Sequence, residues 1–122
     1  MLRYLLPAAC LSVLALLAGC SMEASTDLEQ AVSSADPGAG ATVLDAAGVS
    51  ANQVCVLSPY TTAERFEGVT GVAWPQVERE DVFQQDNIEL VAAIGGNEVV
   101  AWAEVARPQG SDLLGGPDRC SE

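Results

Sequence analysis

Histidine and lysine are absent from the 122-residue chain, which limits the chemistry that its side chains can perform. Histidine is the usual general base near neutral pH. A Ser-His-Asp triad, a Cys-His pair and a Ser-Lys dyad are therefore excluded. A glycine-rich phosphate loop is also missing, because Gly95-Gly96 separates two β-rich segments and not a strand from a helix. Carboxylate chemistry is the form of catalysis that remains.

Positive charge is scarce as well. After residue 20, four arginines stand against all 17 aspartates and glutamates, which gives this part of the chain a net charge of −13. Such a surface repels phosphate backbones, so we expect no nucleic-acid partner. It would attract a cationic partner or a divalent ion, although a solvated acidic surface is the simpler interpretation.

The first 19 residues have the proportions of an export signal. Arg3 supplies one positive charge, and residues 5–18 form an apolar run of 14 residues that is interrupted by Pro7. A helix of that length spans roughly 21 Å at 1.5 Å per residue. The hydrocarbon core of a bilayer is about 30 Å thick, so the run is too short for a stable membrane span.

The end of the apolar run indicates which kind of signal this is. Leu17-Ala18-Gly19-Cys20 resembles the lipobox of bacterial lipoprotein precursors. The resemblance implies that a diacylglycerol group is attached to the thiol of Cys20, that the leader (1–19) is removed, and that the freed amine is often acylated. The alternative is an ordinary secretory signal with a chance cysteine at position 20.

The resemblance also implies an address. One acyl chain anchors a protein only marginally without a basic patch, and the segment after Cys20 has no such patch, so several acyl chains are needed. Ser21 follows the cysteine where an aspartate typically signals inner-membrane retention in Gram-negative lipoproteins. We therefore expect the outer membrane, facing the periplasm. In a Gram-positive host the protein would lie on the outer face of the single membrane.

Two cysteines remain for the exported domain, Cys55 and Cys120. Export places them in an oxidising compartment, where a pair usually becomes a disulfide. We predict a bond between Cys55 and Cys120. A reactive or metal-binding pair is the weaker alternative, because there is no histidine and no CxxC spacing.

We predict two regions after the leader. Residues 20–41 are small, polar and rich in turn formers, which indicates a lipidated flexible tether. Residues 42–122 are predicted to form a small α+β domain with an antiparallel sheet of three or four strands, one short helix and a disulfide-tied C-terminal tail. Residues 53–57 read as a strand. The helix would begin with a capping box over residues 61–64 and end at Gly68 or Gly71.

A β-hairpin is the clearest structural signal. Residues 88–94 and 99–105 flank a Gly-Asn turn, which tolerates the positive φ of tight hairpins. Pairing Ile94 with Val99 and Leu90 with Ala103 gives one wholly apolar face for the core. The opposite face is half apolar, and it is a candidate partner surface unless the helix covers it, with Val91, Val100 and Trp102 as its main residues.

The same register suggests two sites for carboxylate chemistry. Glu89 and Glu104 would lie opposite each other, about 5.5 Å apart at Cβ, as an acid and base in principle or as two solvated charges. A second cluster lies in one loop but lacks the ligand spacing of an EF-hand, namely Glu78, Glu80, Asp81 and Asp86. We expect neither a metal nor a cofactor.

The sequence therefore favours a non-enzymatic, membrane-anchored envelope lipoprotein that acts through contact with a protein partner of unknown identity, as an accessory or assembly factor. An acidic inhibitor or binding module for a cationic exported protein is the alternative. An enzyme that uses carboxylates is the third choice.

The lipidation prediction is tested by Cys20→Ser. The variant should accumulate as an unprocessed or soluble species, since it lacks the thiol that accepts the lipid. Membrane fractionation and the mass of the N-terminal peptide measure this, with Cys10→Ser, inside the discarded leader, as the matched control. Unchanged fractionation of Cys20→Ser would contradict lipidation.

Overall fold

The structure is a computed structural model that describes residues 22–79 and 85–121. The leader and Cys20 lie outside the described residues, as do Glu80 and Asp81 of the predicted acidic loop. In chain order the elements are α1 (Thr26–Ser34), α2 (Gly40–Ala47), β1 (Gln53–Leu57), α3 (Ala63–Thr70), a 3-10 helix (Pro75–Arg79), β2 (Ile88–Gly95), β3 (Glu98–Ala106), α4 (Gln109–Leu114) and β4 (Arg119–Cys120).

The sheet confirms the predicted α+β class. Its four strands lie in the order β3-β2-β1-β4, and every neighbouring pair is antiparallel. Strands β3 and β4 are the two edges. The predicted strand at residues 53–57 is β1, which occupies an inner position because β2 pairs with one side of it and β4 with the other.

The hairpin between β2 and β3 has the predicted turn, but its register changes within the strands. Gly96 and Asn97 adopt φ values of 61° and 63°, as a tight turn of this kind requires. Ile94 pairs with Val99 as predicted, and a β-bulge follows in which Val100 is the extra residue of β3.

The bulge makes the predicted pairing wrong beyond the turn. Leu90 pairs with Glu104 instead of Ala103, and Glu89 pairs with Val105. A shift of one residue moves each following side chain of β3 to the other face of the sheet. Trp102 therefore lies on the face of Leu90, and Ala103 lies on the face of Val91.

Both faces of the sheet are covered. Helices α1, α2 and α4 pack on one face, where Leu28, Val32, Val43 and Leu113 are buried with side chains from β1, β2 and β3. Helix α3 and the 3-10 helix pack on the other. Its core comprises Cys55, Leu57, Phe66, Val72, Trp74, Val77, Leu90, Ala92, Ile94, Val99 and Trp102.

The predicted flexible tether at residues 20–41 is wrong for its described part, residues 22–41. Ser25 caps helix α1 by accepting a hydrogen bond from the amide of Leu28. Leu28 and Val32 are four residues apart, share one face of the helix and are 0% and 2% exposed. This short apolar stripe is sufficient because the sheet offers it an apolar surface. The segment is therefore part of the folded domain.

Helix α3 is present where a helix was predicted, with a different cap. Thr62, and not Thr61, accepts a hydrogen bond from the third helical residue, Arg65, so the predicted capping box is wrong by one position. The hydroxyl of Thr61 donates instead to the carbonyl of Ser58. The helix ends at Gly71, one of the two predicted positions, in the left-handed conformation that glycine favours.

The C-terminal segment is more ordered than a turn-filled tail. It contains helix α4 and strand β4, which places Cys120 directly opposite Cys55 on β1. The predicted disulfide between these two residues is confirmed. It joins the buried strand β1 to an edge strand of two residues and closes a loop with a sequence separation of 65.

The disulfide should stabilise the domain mainly by constraining the unfolded chain. Replacing both cysteines by alanine is expected to lower the free energy of unfolding by about 4 kcal/mol, as chain entropy predicts for a loop of this size. Urea unfolding of the variant and of the oxidised parent measures the difference. A loss below about 1 kcal/mol would contradict the dominance of loop entropy.

Candidate functional site

Met22, two positions after the predicted lipidation site, is fixed to the body of the domain by hydrogen bonds. The amide of Met22 donates to Gln76 Oε1 at 3.1 Å, and Gln76 Nε2 donates to the carbonyl of Met22 at 2.7 Å. The indole Nε1 of Trp102 donates to the same carbonyl at 3.0 Å. We call this arrangement of Met22, Gln76 and Trp102 the Met22 clamp.

Two distant parts of the chain supply the clamp. The 3-10 helix that follows Trp74 presents Gln76, which is 6% exposed. Strand β3 presents Trp102, which is 3% exposed and whose ring centre lies 5.7 Å from that of Trp74. A buried amide side chain costs free energy unless it is hydrogen-bonded. The backbone of Met22 supplies both an acceptor and a donor to Gln76, as a neighbouring strand would.

The next residues continue along the edge of the sheet. The amide of Ser25 donates to the carbonyl of Trp102 at 2.7 Å, which satisfies one backbone acceptor of edge strand β3. Met22 itself packs against the core cluster that contains Trp102. The segment 22–25 is thus held by hydrogen bonds at both of its ends before helix α1 begins.

The candidate partner surface of Val91, Val100 and Trp102 is wrong. Val91 is 0% exposed under helices on one face of the sheet, and Trp102 is buried on the other face. The bulge separates them by turning Trp102 to the opposite side from Val91. Val100 is 38% exposed, as the outward extra residue of the bulge.

A surface groove lies instead between helices α1 and α2, with a volume of about 500 Å³. Small side chains and Val43 form much of its lining, while Asp27 and Asp36 bring carboxylates to it. Both of these carboxylates are exposed. The full lining is Asp27, Gln30, Ala31, Ser34, Ala35, Asp36, Ala39, Thr42, Val43 and Ala46. Its chemistry suits an extended or helical segment that carries apolar and cationic side chains.

The predicted pairing of Glu89 with Glu104 is also wrong. Glu89 pairs with Val105, and Glu104 is the next residue along β3, so the two glutamates lie on opposite faces of the sheet. Glu89 is 0% exposed and accepts hydrogen bonds from helix α4. Its carboxyl group accepts hydrogen bonds from the amide of Ser111, at 2.8 Å, and from the hydroxyl of Ser111.

Glu89 thereby satisfies an amide of the first turn of α4, which otherwise lacks a side-chain cap. The approach leaves little room for a side chain at position 110. A Cβ atom there would lie 3.0 Å from Glu89 Oε1 and 3.1 Å from a methyl group of Val56. The geometry of Glu89 is that of a buried structural carboxyl group.

Asp118 directly precedes edge strand β4 and binds Arg65 and Ser58. It forms an ion pair with Arg65 at 2.9 Å and accepts hydrogen bonds from the amide and the hydroxyl of Ser58. Partial burial acts to raise the pKa of the Asp118 carboxyl, but the hydrogen bonds from Arg65 and Ser58 and the positive charge of Arg65 lower it below its usual value.

The predicted acidic loop yields no metal site within the described chain. Glu78 accepts a hydrogen bond from the amide of Ala63, and Asp86 accepts one from the hydroxyl of Tyr60. In residues 22–79 and 85–121, no three carboxylate, cysteine or histidine side chains converge as metal ligands would. In the same ranges, no helix is long and apolar enough to cross a membrane.

The site residues that sequence reasoning missed are those that act across long separations. Gln76 is 54 residues from Met22, and Trp102 is 80 residues from it. Glu89 and Ser111 are 22 residues apart on different elements. No local spacing connects these residues. The one available signal was Gln76 itself, a polar residue between Trp74-Pro75 and Val77 in a short apolar run.

Comparison with known proteins gives no relative. The chain matches no protein-family model, and it is not significantly similar to a curated protein or to a solved structure.

Substituting Asp118→Asn should weaken the domain in a pH-dependent manner. Because the pKa of Asp118 is lowered in the folded state, its ionised form contributes stability above the unfolded pKa of about 3.9, and this contribution is lost as the pH falls through the folded pKa. Asparagine keeps the shape and tolerates the φ of 58° at this position, and it removes the charge together with one acceptor oxygen.

Urea unfolding of the parent and of Asp118→Asn at pH 7 and pH 3 measures the effect. The variant should be less stable than the parent at pH 7, and the difference should shrink at pH 3. Exposed Asp45, on helix α2, provides the matched control as Asp45→Asn. An equal difference at both pH values would show that the pKa shift of Asp118 does not contribute.

Proposed function

We propose that the chain is a non-enzymatic envelope lipoprotein, lipidated at Cys20, which acts through contact with a protein partner as an accessory or assembly factor. The single observation that supports this most strongly is the position of the lipobox relative to the fold. Leu17-Ala18-Gly19-Cys20 ends two residues before Met22, which packs against the core cluster around Trp102. Cleavage before Cys20 would remove residues 1–19 and keep every residue of the two described core clusters.

The proposed location in the cell envelope rests on the same resemblance. Ser21 in place of the retention aspartate favours the outer membrane, facing the periplasm. The disulfide between Cys55 and Cys120 supports export, because such bonds persist in oxidising compartments. A Gram-positive host would carry the same protein on the outer face of its membrane.

The groove between α1 and α2 is the surface that we assign to the partner. It is concave, includes Ala31 and Val43 in its lining, and carries the exposed carboxylates Asp27 and Asp36. Helices that are packed on a rigid sheet hold such a surface in a fixed shape, which reduces the cost of ordering on binding. A partner segment with small apolar side chains and one or two cations would complement it.

The second candidate is an inhibitor or binding module for a cationic exported protein. The net charge of −13 after residue 20 favours it, because a charge of that size steers a cationic partner over long range. The two candidates differ in where the negative charge must lie. Steering depends on total charge wherever it lies, and it is screened within about 8 Å at physiological ionic strength.

Site-specific photocrosslinking in intact cells tests the proposal. A crosslinker at Ser34, in the groove, should capture a discrete partner, while the same group at exposed Ser50, outside the groove lining, should not. Partner capture at Ser50 and not at Ser34 would contradict the groove assignment.

A charge-matched pair of double variants separates the two candidates. Asp27→Asn with Asp36→Asn removes two charges from the groove, and Glu67→Gln with Glu98→Gln removes two exposed charges elsewhere. With the captured partner, the groove pair should reduce affinity at least about ten-fold, roughly 1.4 kcal/mol, and the other pair should have little effect. Equal losses that vanish at high salt would favour the charge-steered binding module.

A further inference from the structure

Very little chain separates the proposed lipid from the folded body. Ser21 is the one residue between Cys20 and Met22 in the sequence. Consecutive Cα atoms are about 3.8 Å apart, so the Cα of Cys20 lies within about 7.6 Å of that of Met22 whatever conformation Ser21 adopts. The distance between the proposed lipid and the folded body therefore depends on how firmly Met22 is held.

The Met22 clamp holds this residue at a defined place. Gln76 bonds to both the amide and the carbonyl of Met22, Trp102 bonds to the same carbonyl, and Ser25 bonds to the backbone of Trp102. The two clamp side chains are nearly fully buried. Terminal segments are usually mobile unless they are tied down in this way.

We infer that the clamp seats the lipidated terminus on the body, so that the protein lies with its β3 edge against the membrane instead of extending from a tether. This rests on the proposed lipidation of Cys20. The surface that meets the lipid headgroups contains the residues around the clamp, including exposed Glu23 and Glu78.

The order of the strands determines which edge of the sheet lies near the membrane in this arrangement and which lies away from it. Trp102 lies on edge strand β3, and β4 is the opposite edge, three strand spacings away. Strands are spaced by about 4.8 Å, so β4 and the adjoining Pro117 lie about 14 Å farther from the clamp across the sheet. A domain of about 100 residues has a radius of gyration of about 13 Å. The seated protein thus reaches partners in or on the same membrane.

The acidic charge does not prevent this arrangement. Repulsion between the body and anionic headgroups is screened over about 8 Å at physiological ionic strength, so it acts mainly on the nearest carboxylates. Exposed Glu23 is one residue from Met22, and exposed Glu78 is two residues from Gln76 of the clamp. They would tilt the body on the headgroups without lengthening the connection.

Energy transfer from the protein to labelled headgroups tests the inference. The full lipidated protein is placed in phosphatidylcholine vesicles that contain a small fraction of rhodamine-labelled phosphatidylethanolamine. A donor dye is attached through a clickable amino acid at exposed Glu23 or exposed Pro117, so that the disulfide stays intact. Transfer from position 23 should clearly exceed transfer from position 117.

A spacer provides the decisive comparison. Inserting 20 Gly-Ser residues between Ser21 and Met22 adds roughly 25 Å of root-mean-square reach, so transfer from position 23 should fall about two-fold or more. Gln76→Ala, which removes two clamp bonds, should reduce the difference between the two positions, whereas Gln85→Ala, at an exposed residue outside the clamp and the groove, should not.

The outcomes separate this inference from the proposed function. The mass of the N-terminal peptide is measured first, and an absence of acyl mass on Cys20 overturns the proposed lipidation together with the inference. With the acyl mass present, equal transfer from positions 23 and 117, or transfer from position 23 that the spacer leaves unchanged, overturns the seated arrangement alone. Circular dichroism confirms that each variant compared is folded.

Discussion

Burial of strand β2 on both of its faces is the constraint that organises the rest of the structure. Residues 89–94 are all buried, which is unusual for an antiparallel sheet, where one face is commonly solvated. Two apolar faces require two covers. Helix α3 and the 3-10 helix provide one cover, and the segment around Leu28 and Val32 provides much of the other. A domain of this size has a small core, so neither cover is dispensable.

The same constraint explains how the N-terminal segment became fixed. Once the bulge at Val100 turns Trp102 inward, its indole N–H needs an acceptor, and the buried amide of Gln76 needs both a donor and an acceptor. The backbone of Met22 meets these needs together. A hydrogen-bond requirement of the core therefore sets the point at which the proposed anchor leaves the body. The outer side of the helical cover, between α1 and α2, is left to form the groove.

Several features were predictable because their causes are local or chemical. The hairpin turn needs positive φ at adjacent residues, which Gly96-Asn97 supplies, and helix α3 ends where Gly71 can adopt the left-handed conformation. The disulfide was predicted from the proposed export of the chain and its two remaining cysteines. The bulge was not predictable, since an apolar run such as residues 88–94 satisfies either register when both faces are buried. The partner surface and the Glu89–Glu104 pair failed with the register on which they depended.

The sequence by itself determined the elements whose physics lies within a few residues: the turn, strands β1 to β3, helix α3 and the acidic charge. It also determined the α+β class, because short apolar strands with one capped helix leave few alternatives. Only the tertiary structure decided that residues 26–34 fold, that Glu89 serves helix α4, and that Met22 is clamped by Gln76 and Trp102. Leu28 and Val32 make too weak a stripe for an isolated helix, since short helices gain their stability from the surface they bury against. That surface exists only after strands distant in the sequence have assembled.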